Sequence, residues 1–283
     1  MTPEGTRGSA RSAGRDVGEG FRERFEQGLG FRLDDFQRRS LDAIDRGESV
    51  LVSAPTGSGK TLVAEYAAAR AVASGGKAFY TTPIKALSNQ KFAELSLRYG
   101  EDQVGLLTGD VSHQARAPIV VMTTEVLRNM IFARSDLLDQ LAVVVLDEVH
   151  YLQDPYRGSV WEEILVLAPG GVRFVSLSAT VSNATDFGAW LTSVRGTTKV
   201  VVEDHRPVTL HHHYAVAERG RDGLTVMPLL RQGRANPDGA ALDDRRRRNP
   251  RHRYRVPRRT EVIEYLAAAD MLPAITFIFS RAA

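Results

Sequence analysis

The sequence predicts an α/β fold in which a parallel sheet carries helices on both faces. Short continuous apolar runs recur at Ser49-Val50-Leu51-Val52-Ser53, Ala78-Phe79-Tyr80-Thr81, Ile119-Val120-Val121-Met122 and Val143-Val144-Val145-Leu146. Runs without polar alternation mark strands buried on both faces. Helix-forming segments separate them, and strand–helix alternation is the signature of parallel crossover units. The 283 residues, 43% hydrophobic, supply a core for about two domains, or for one large α/β domain with appendages.

The elements follow in order. Residues 1 to 20 are rich in Gly, Ser and Arg with almost no apolar content, and read as a disordered tail. Asp34-Asp35 open a helix whose apolar face is Phe36, Leu41 and Ile44. Thr61 to Ala73 is Ala-rich and helical, as are Ile84 to Arg98, Glu125 to Ala133 and Gly158 to Leu167. Val104 to Leu107 and Val172 to Leu177 complete the strands of the first domain, read as 21–216. Lys199 to Val202 and Val208 to Tyr214 are strand-like, and residues 217–260 read as an exposed, largely irregular basic linker or insertion. Glu261 to Ala269 is a helix. Ala274 to Phe279 is an apolar run expected to be the first strand of a second, truncated domain over 261–283.

Charge is unevenly distributed. Only five of the 37 basic residues are Lys, and the formal net charge is +3. Residues 219–259 hold 13 Arg, including Arg245 to Arg248, against four acids, so the rest of the chain is net acidic. Such a segment suits a phosphate backbone, although a solvated loop explains it equally well. The absence of Cys excludes disulfides and Cys-ligated metal sites. With no apolar run of about 18 residues and no leader pattern, no membrane partner is expected and the expected compartment is the cytoplasm.

The chemistry lies in a few strings. Ala54-Pro55-Thr56-Gly57-Ser58-Gly59-Lys60-Thr61 sits between a strand and a helix and is a P-loop, with Ala54 where the general pattern has its first Gly. Gly57 and Gly59 let the backbone turn its N–H groups toward phosphates. Lys60 would reach the β- and γ-phosphates and Thr61 would hold Mg²⁺. Asp147-Glu148-Val149-His150 ends an apolar strand, where ligands of parallel sheets bind. Asp147 suits the metal and Glu148 the attacking water. Ser178-Ala179-Thr180 ends the next strand, with hydroxyls able to bond His150 or a carboxylate. Gln37 offers a donor and an acceptor to an adenine edge. His211-His212-His213 lacks a carboxylate or zinc-type spacing and reads as ordinary polar strand.

Taken together and in order, these strings resemble superfamily-two helicases of the DExH-box type. The strings TTPIKALSNQKFAEL, GLLTGDV, MTTEVLRNM, LDEVHYLQDPYRGSVWEE, LSATVSNATDFGAWL and HRPV are similar to those of the superkiller-like, exosome-associated RNA helicases and their bacterial relatives, over about Phe31 to His213. The resemblance implies a RecA-like amino-terminal motor domain that uses ATP and Mg²⁺ to move along or unwind nucleic acid. By position it implies adenine recognition by Gln37, triphosphate binding by 54–61, catalysis by Lys60, Asp147, Glu148 and His150, and coupling of hydrolysis to movement through His150, Ser178 and Thr180. It places Pro83, Lys85, Ser88, Thr108, Gly109, Thr124 and Glu125 on strings that contact the nucleic-acid backbone. Single-stranded RNA is the implied partner, with DNA possible.

The family also needs a second RecA-like domain supplying arginines to the γ-phosphate, which is expected to be missing here. Such arginines are worth about 10³- to 10⁵-fold in rate in related nucleotidases. Three other readings stand beside this one. They are a DNA helicase of the same superfamily, a P-loop kinase or GTPase, and an ATP- or nucleic-acid-binding module without turnover. The lack of a guanine-recognition Asn-Lys-x-Asp string, together with the DExH and Ser-Ala-Thr strings, argues against the kinase or GTPase.

Overall fold

The computed structural model describes residues 13–180, 183–218, 223–239, 241 and 254–278, with side chains from residue 20 onward except that of 218. The chain divides into two compact units, Met1–Pro207 and Val208–Ala283.

The first unit is three layers. Its strands are β1 Ser49–Ser53, β2 Lys77–Thr82, β3 Val104–Leu107, β4 Ser112–His113, β5 Ile119–Thr123, β6 Leu141–Leu146, β7 Arg173–Ser178 and β8 Thr198–Val202. They form one sheet in the order β4-β3-β5-β2-β6-β7-β1-β8. Every pairing is parallel except that of the two-residue β4 with β3. The helices are α1 Ala13–Gln27, α2 Asp35–Asp45, α3 Thr61–Ala73, α4 Lys85–Tyr99, α5 Thr124–Phe132, α6 Gly158–Leu167 and α7 Ala184–Arg195.

Alternation along each strand feeds two cores. Val50, Val52, Tyr80, Val121 and Val145 face one side and pack with Phe36, Val63, Tyr66 and Leu95 of α2, α3 and α4. Leu51, Phe79, Met122, Val144 and Leu146 face the other and pack with Leu127, Trp161 and Leu191 of α5, α6 and α7. Each fully buried aliphatic or aromatic side chain contributes about 1.5–3 kcal/mol.

The tail expectation over 1–20 needs correction, because residues 13–20 begin α1; residues 1–12 lie outside the described part. Local composition is overridden by tertiary contact. Phe25 meets Tyr66 edge-on at 5.0 Å, and Arg22 pairs with Asp45 at 3.1 Å.

In the second unit, β9 His213–Glu218 pairs antiparallel with β10 Leu224–Pro228 and with β13 Tyr254–Arg255, while β11 Leu230–Arg231 and β12 Arg234–Ala235 form a small ladder. The segment read as irregular therefore carries strands where it is described; Arg245 to Arg248 lie outside the described residues. Only His213 of the three histidines lies in a strand. The expected helix is present as α8, Arg259–Ala268. Residues 274–278 form no strand, which corrects the expectation for that run. Ile275 and Phe277 are 82% and 73% exposed, and among the described residues no strand pairs with this run.

Candidate nucleotide and nucleic-acid site

The strand order sorts the chemistry. β6, β7 and β1 are neighbours, so the loops carrying Asp147-Glu148, Ser178-Ala179-Thr180 and the P-loop emerge side by side at the carboxyl edge. β3, β5 and β2 are also neighbours, so the loops carrying Thr108-Gly109, Thr124-Glu125 and Pro83-Lys85 emerge together beside them.

In the nucleotide half, Gly57 and Gly59 adopt φ of 83° and 82°, which turns the loop's N–H groups into a concave cradle. A Cβ on Gly59 would lie 2.8 Å from Gln37 Nε2. Gln37 is buried rather than a surface residue. Its Nε2 donates to Gly59 O at 3.1 Å, and its Oε1 accepts from Asp34 N at 2.9 Å. Gln37 thus braces the P-loop from the start of α2, with one N–H and one lone pair not used in these two bonds. Lys60 is 8% exposed and has no carboxylate paired to it among the described residues. Ser58 Oγ is buried without a hydrogen-bond partner. A buried cation and an orphan hydroxyl beside a Gly cradle fit a triphosphate.

The carboxylates are held firmly. Asp147 Oδ2 accepts from Tyr80 Oη at 2.9 Å and Oδ1 from Glu148 N at 2.9 Å. Burial pushes the Tyr80 phenol well up, and the neighbouring Asp147 adds to this, so Tyr80 stays a donor. Glu148 sits in the left-handed region at φ 53°, a strained position for a side chain of this size. His150 Nδ1 lies 3.3 Å from Glu148 Oε2 but out of hydrogen-bonding alignment, and is buried and unpaired. Ser178 Oγ is likewise buried and unpaired. Both residues line a small cleft of about 50 Å³ with Val149, Asn183 and Phe187. The Ser178 turn is tied to the P-loop strand by Ala54 N donating to Ser178 O at 3.1 Å and Ser53 Oγ to Ala179 O at 3.3 Å. Thr180 is exposed. Among the described residues no cluster of three or more His, Asp or Glu could hold a metal. Thr61 and Asp147 fit Mg²⁺ only as part of a shell completed by phosphate oxygens and water, which is its usual habit.

In the strand-contact half most of the singled-out side chains are paired within the protein. Ser88 and Thr124 are fully buried, and both hydroxyls are paired within the protein. Ser88 Oγ bonds Thr82 Oγ1 at 2.7 Å, and Thr124 Oγ1 donates to Thr82 O at 3.1 Å. Pro83 is buried, whereas Lys85 and Gly109 are exposed. Thr108 Oγ1 donates to Asp110 Oδ1 at 3.0 Å, and Lys85 Nζ pairs with the other carboxylate oxygen at 2.5 Å. Glu125 accepts from Arg157 Nη2 at 2.5 Å, and a carboxylate repels phosphate in any case. α4 and α5 begin without side-chain caps, which leaves backbone N–H groups at both helix starts. Arg157 was not singled out from the sequence.

A P-loop, a DExH box and a Ser-Ala-Thr turn on adjacent strands of a RecA-like sheet define a helicase-type nucleoside triphosphatase domain. Residues 34–187 match the DEAD/DEAH box helicase family, and the chain belongs to that family. It is 52% identical over 276 residues to the probable helicase HelY of Mycobacterium tuberculosis, across 92% of this chain and 30% of that protein. It is 46% identical over 199 residues to the mouse exosome RNA helicase MTR4, across 70% of this chain and 19% of that protein. Among solved structures it superposes on Mycobacterium smegmatis helicase Lhr bound to ssDNA and AMP-PNP, with TM-score 0.51 and 26% identity, over 65% of this chain and 27% of that one. The chain thus spans about a third or less of the length of these relatives.

Proposed function

We propose that this chain is the ATP-hydrolysing amino-terminal motor portion of a helicase that acts on single-stranded RNA. The observation that carries the proposal is the adjacency of the two loop clusters on one carboxyl edge, joined at the β2–β6 seam by the Tyr80–Asp147 hydrogen bond. The N–H groups of the P-loop and Lys60 hold the β- and γ-phosphates, while Gln37 orients adenine. Thr61 and Asp147 would hold Mg²⁺, which when bound would neutralise charge on those phosphates. Glu148 accepts a proton from water as the water oxygen attacks the γ-phosphorus, and the bridging oxygen leaves with ADP. Ser178 and His150, both lacking partners, respond to the nucleotide through the turn tied to the P-loop. The uncapped starts of α4 and α5, with Lys85 and Gly109, take successive strand phosphates without reading sequence. Arginines toward the γ-phosphate would come from a second motor domain.

RNA is preferred because the exosome RNA helicase MTR4 shares 46% identity over 199 residues. DNA is the second reading, favoured by the single-stranded DNA in the Lhr structure. Equilibrium binding of oligouridylate and oligothymidylate of equal length, with a non-hydrolysable ATP analogue present, separates them. Tighter RNA binding is expected, and tighter DNA binding selects the second reading. Glu148→Gln should keep ATP binding and lose hydrolysis; undiminished hydrolysis removes Glu148 from its role.

A further inference from the structure

Arg157 lies within the LDEVHYLQDPYRGSVWEE string, where no role falls to it by position, yet it meets residues of two other strings. It stands at the start of α6, seven residues beyond His150. Asp154 Oδ1 accepts from Arg157 N at 3.0 Å, and Gly158 N donates to Asp154 O at 2.8 Å, which fixes the backbone. The guanidinium lies 5.9 Å from the ring centre of the fully buried Trp161. From there Nη2 donates to two acceptors, Pro83 O and Glu125 Oε1. Pro83 lies just before α4, and Glu125 lies in the first turn of α5.

These two helix starts have no side-chain caps. A carboxylate in the first turn of such a helix is attracted to its free N–H groups and competes there with a phosphate. Arg157 draws the Glu125 carboxylate aside and neutralises it. The same guanidinium holds the Pro83 carbonyl, which sets the spacing between the two helix starts. A planar fork stacked on an aromatic ring suits this double duty, and a Lys ammonium does not.

We infer that Arg157 is a positioning residue that keeps the amino ends of α4 and α5 open and correctly spaced for two phosphates of the bound strand. This rests on the nucleic-acid reading above. Because the clasp leaves the loop that follows the hydrolytic carboxylates, it also links strand engagement physically to that loop.

The test compares the native chain with Arg157→Met, Arg157→Lys and the double variant Arg157→Met/Glu125→Gln. Fluorescent oligouridylate reports strand affinity, an N-methylanthraniloyl ATP analogue serves as folding control, and amide hydrogen exchange reports residues 83–90 and 124–130. Arg157→Met should bind oligouridylate about five- to tenfold more weakly, as expected for loss of a charged hydrogen bond. It should also exchange faster in both segments while ATP affinity holds. The double variant should recover most of the lost affinity, because the competing carboxylate is gone. Arg157→Lys should recover little. Native affinity in Arg157→Met overturns the inference, and so does weaker binding with unchanged exchange, which would make Arg157 a direct contact. Full function in Arg157→Lys also overturns it. If ATP affinity collapses in Arg157→Met, Arg157→Lys carries the comparison. If the native chain binds neither RNA nor DNA, the nucleic-acid reading falls, and exchange alone decides the clasp: faster exchange in both segments supports it, and unchanged exchange refutes it.

Discussion

Along the carboxyl edge, the loops after β1, β6 and β7 hold buried polar atoms without hydrogen bonds at Ser58 Oγ, His150 Nδ1 and Ser178 Oγ, and a buried Lys60 with no counter-charge among the described residues. The loops after β2, β3 and β5 do the opposite. Thr82 pairs with Ser88, Thr124 with the Thr82 carbonyl, Thr108 and Lys85 with Asp110, and Glu125 with Arg157. Buried polar groups are ordinarily satisfied, so under the proposed function the unpaired cluster is where side chains would meet the nucleotide. In the satisfied cluster most side chains shape the backbone, and under the proposed function the helix starts, with Lys85, would do the binding. A nucleotide needs charge and hydroxyl contacts at fixed points, whereas a strand read without regard to sequence needs only regularly spaced donors.

The contrast predicts unequal costs for the same substitution. Ser88→Ala removes a paired hydroxyl from a fully buried site and leaves Thr82 Oγ1 only its bond to Ile84 O, so it should cost about 0.5–1.5 kcal/mol in urea unfolding. Ser178→Ala removes an equally buried but unpaired hydroxyl and should cost almost nothing. Equal costs would erase the distinction between the halves. The smallest effect concerns Asp110, whose carboxyl is held below the usual range by its hydrogen bond from Lys85 and then by that from Thr108. A lowered carboxyl favours the folded pair above the ordinary carboxylate pKa, and that benefit fades as pH falls through the lowered value. Lys85→Ala should therefore move the Asp110 titration upward in an NMR pH series. An unmoved titration would mean that the pair does not persist in solution.

Much of this was legible in the sequence. Each strand of the first unit except β4 follows from a continuous apolar run, and the P-loop, DExH box and Ser-Ala-Thr turn are local strings whose spacing carries their chemistry. What escaped depends on distant partners. The helix over 13–20 is part of α1, which is held by Tyr66 and Asp45. The burial of Ser88 and Thr124 follows from Thr82, which no local pattern links to them. Arg157 is one of 32 Arg residues, and only its reach to Pro83 and Glu125 distinguishes it. Its place three residues after Asp154, just before a Gly that opens a helix, was the available signal. The run at 274–278 shows the converse, since apolar β-branched composition makes a strand only where a neighbouring strand accepts it.

The central claim is that the unpaired half of the edge is a nucleotide site built around Lys60. Its most direct test is titration of the N-methylanthraniloyl ATP analogue with magnesium into the native chain and into Lys60→Ala, with matched unfolding curves. Saturable binding by the native chain and a loss of about two orders of magnitude in the variant is the predicted result, in keeping with removal of a buried charged hydrogen bond. Equal affinity in the two proteins would contradict it.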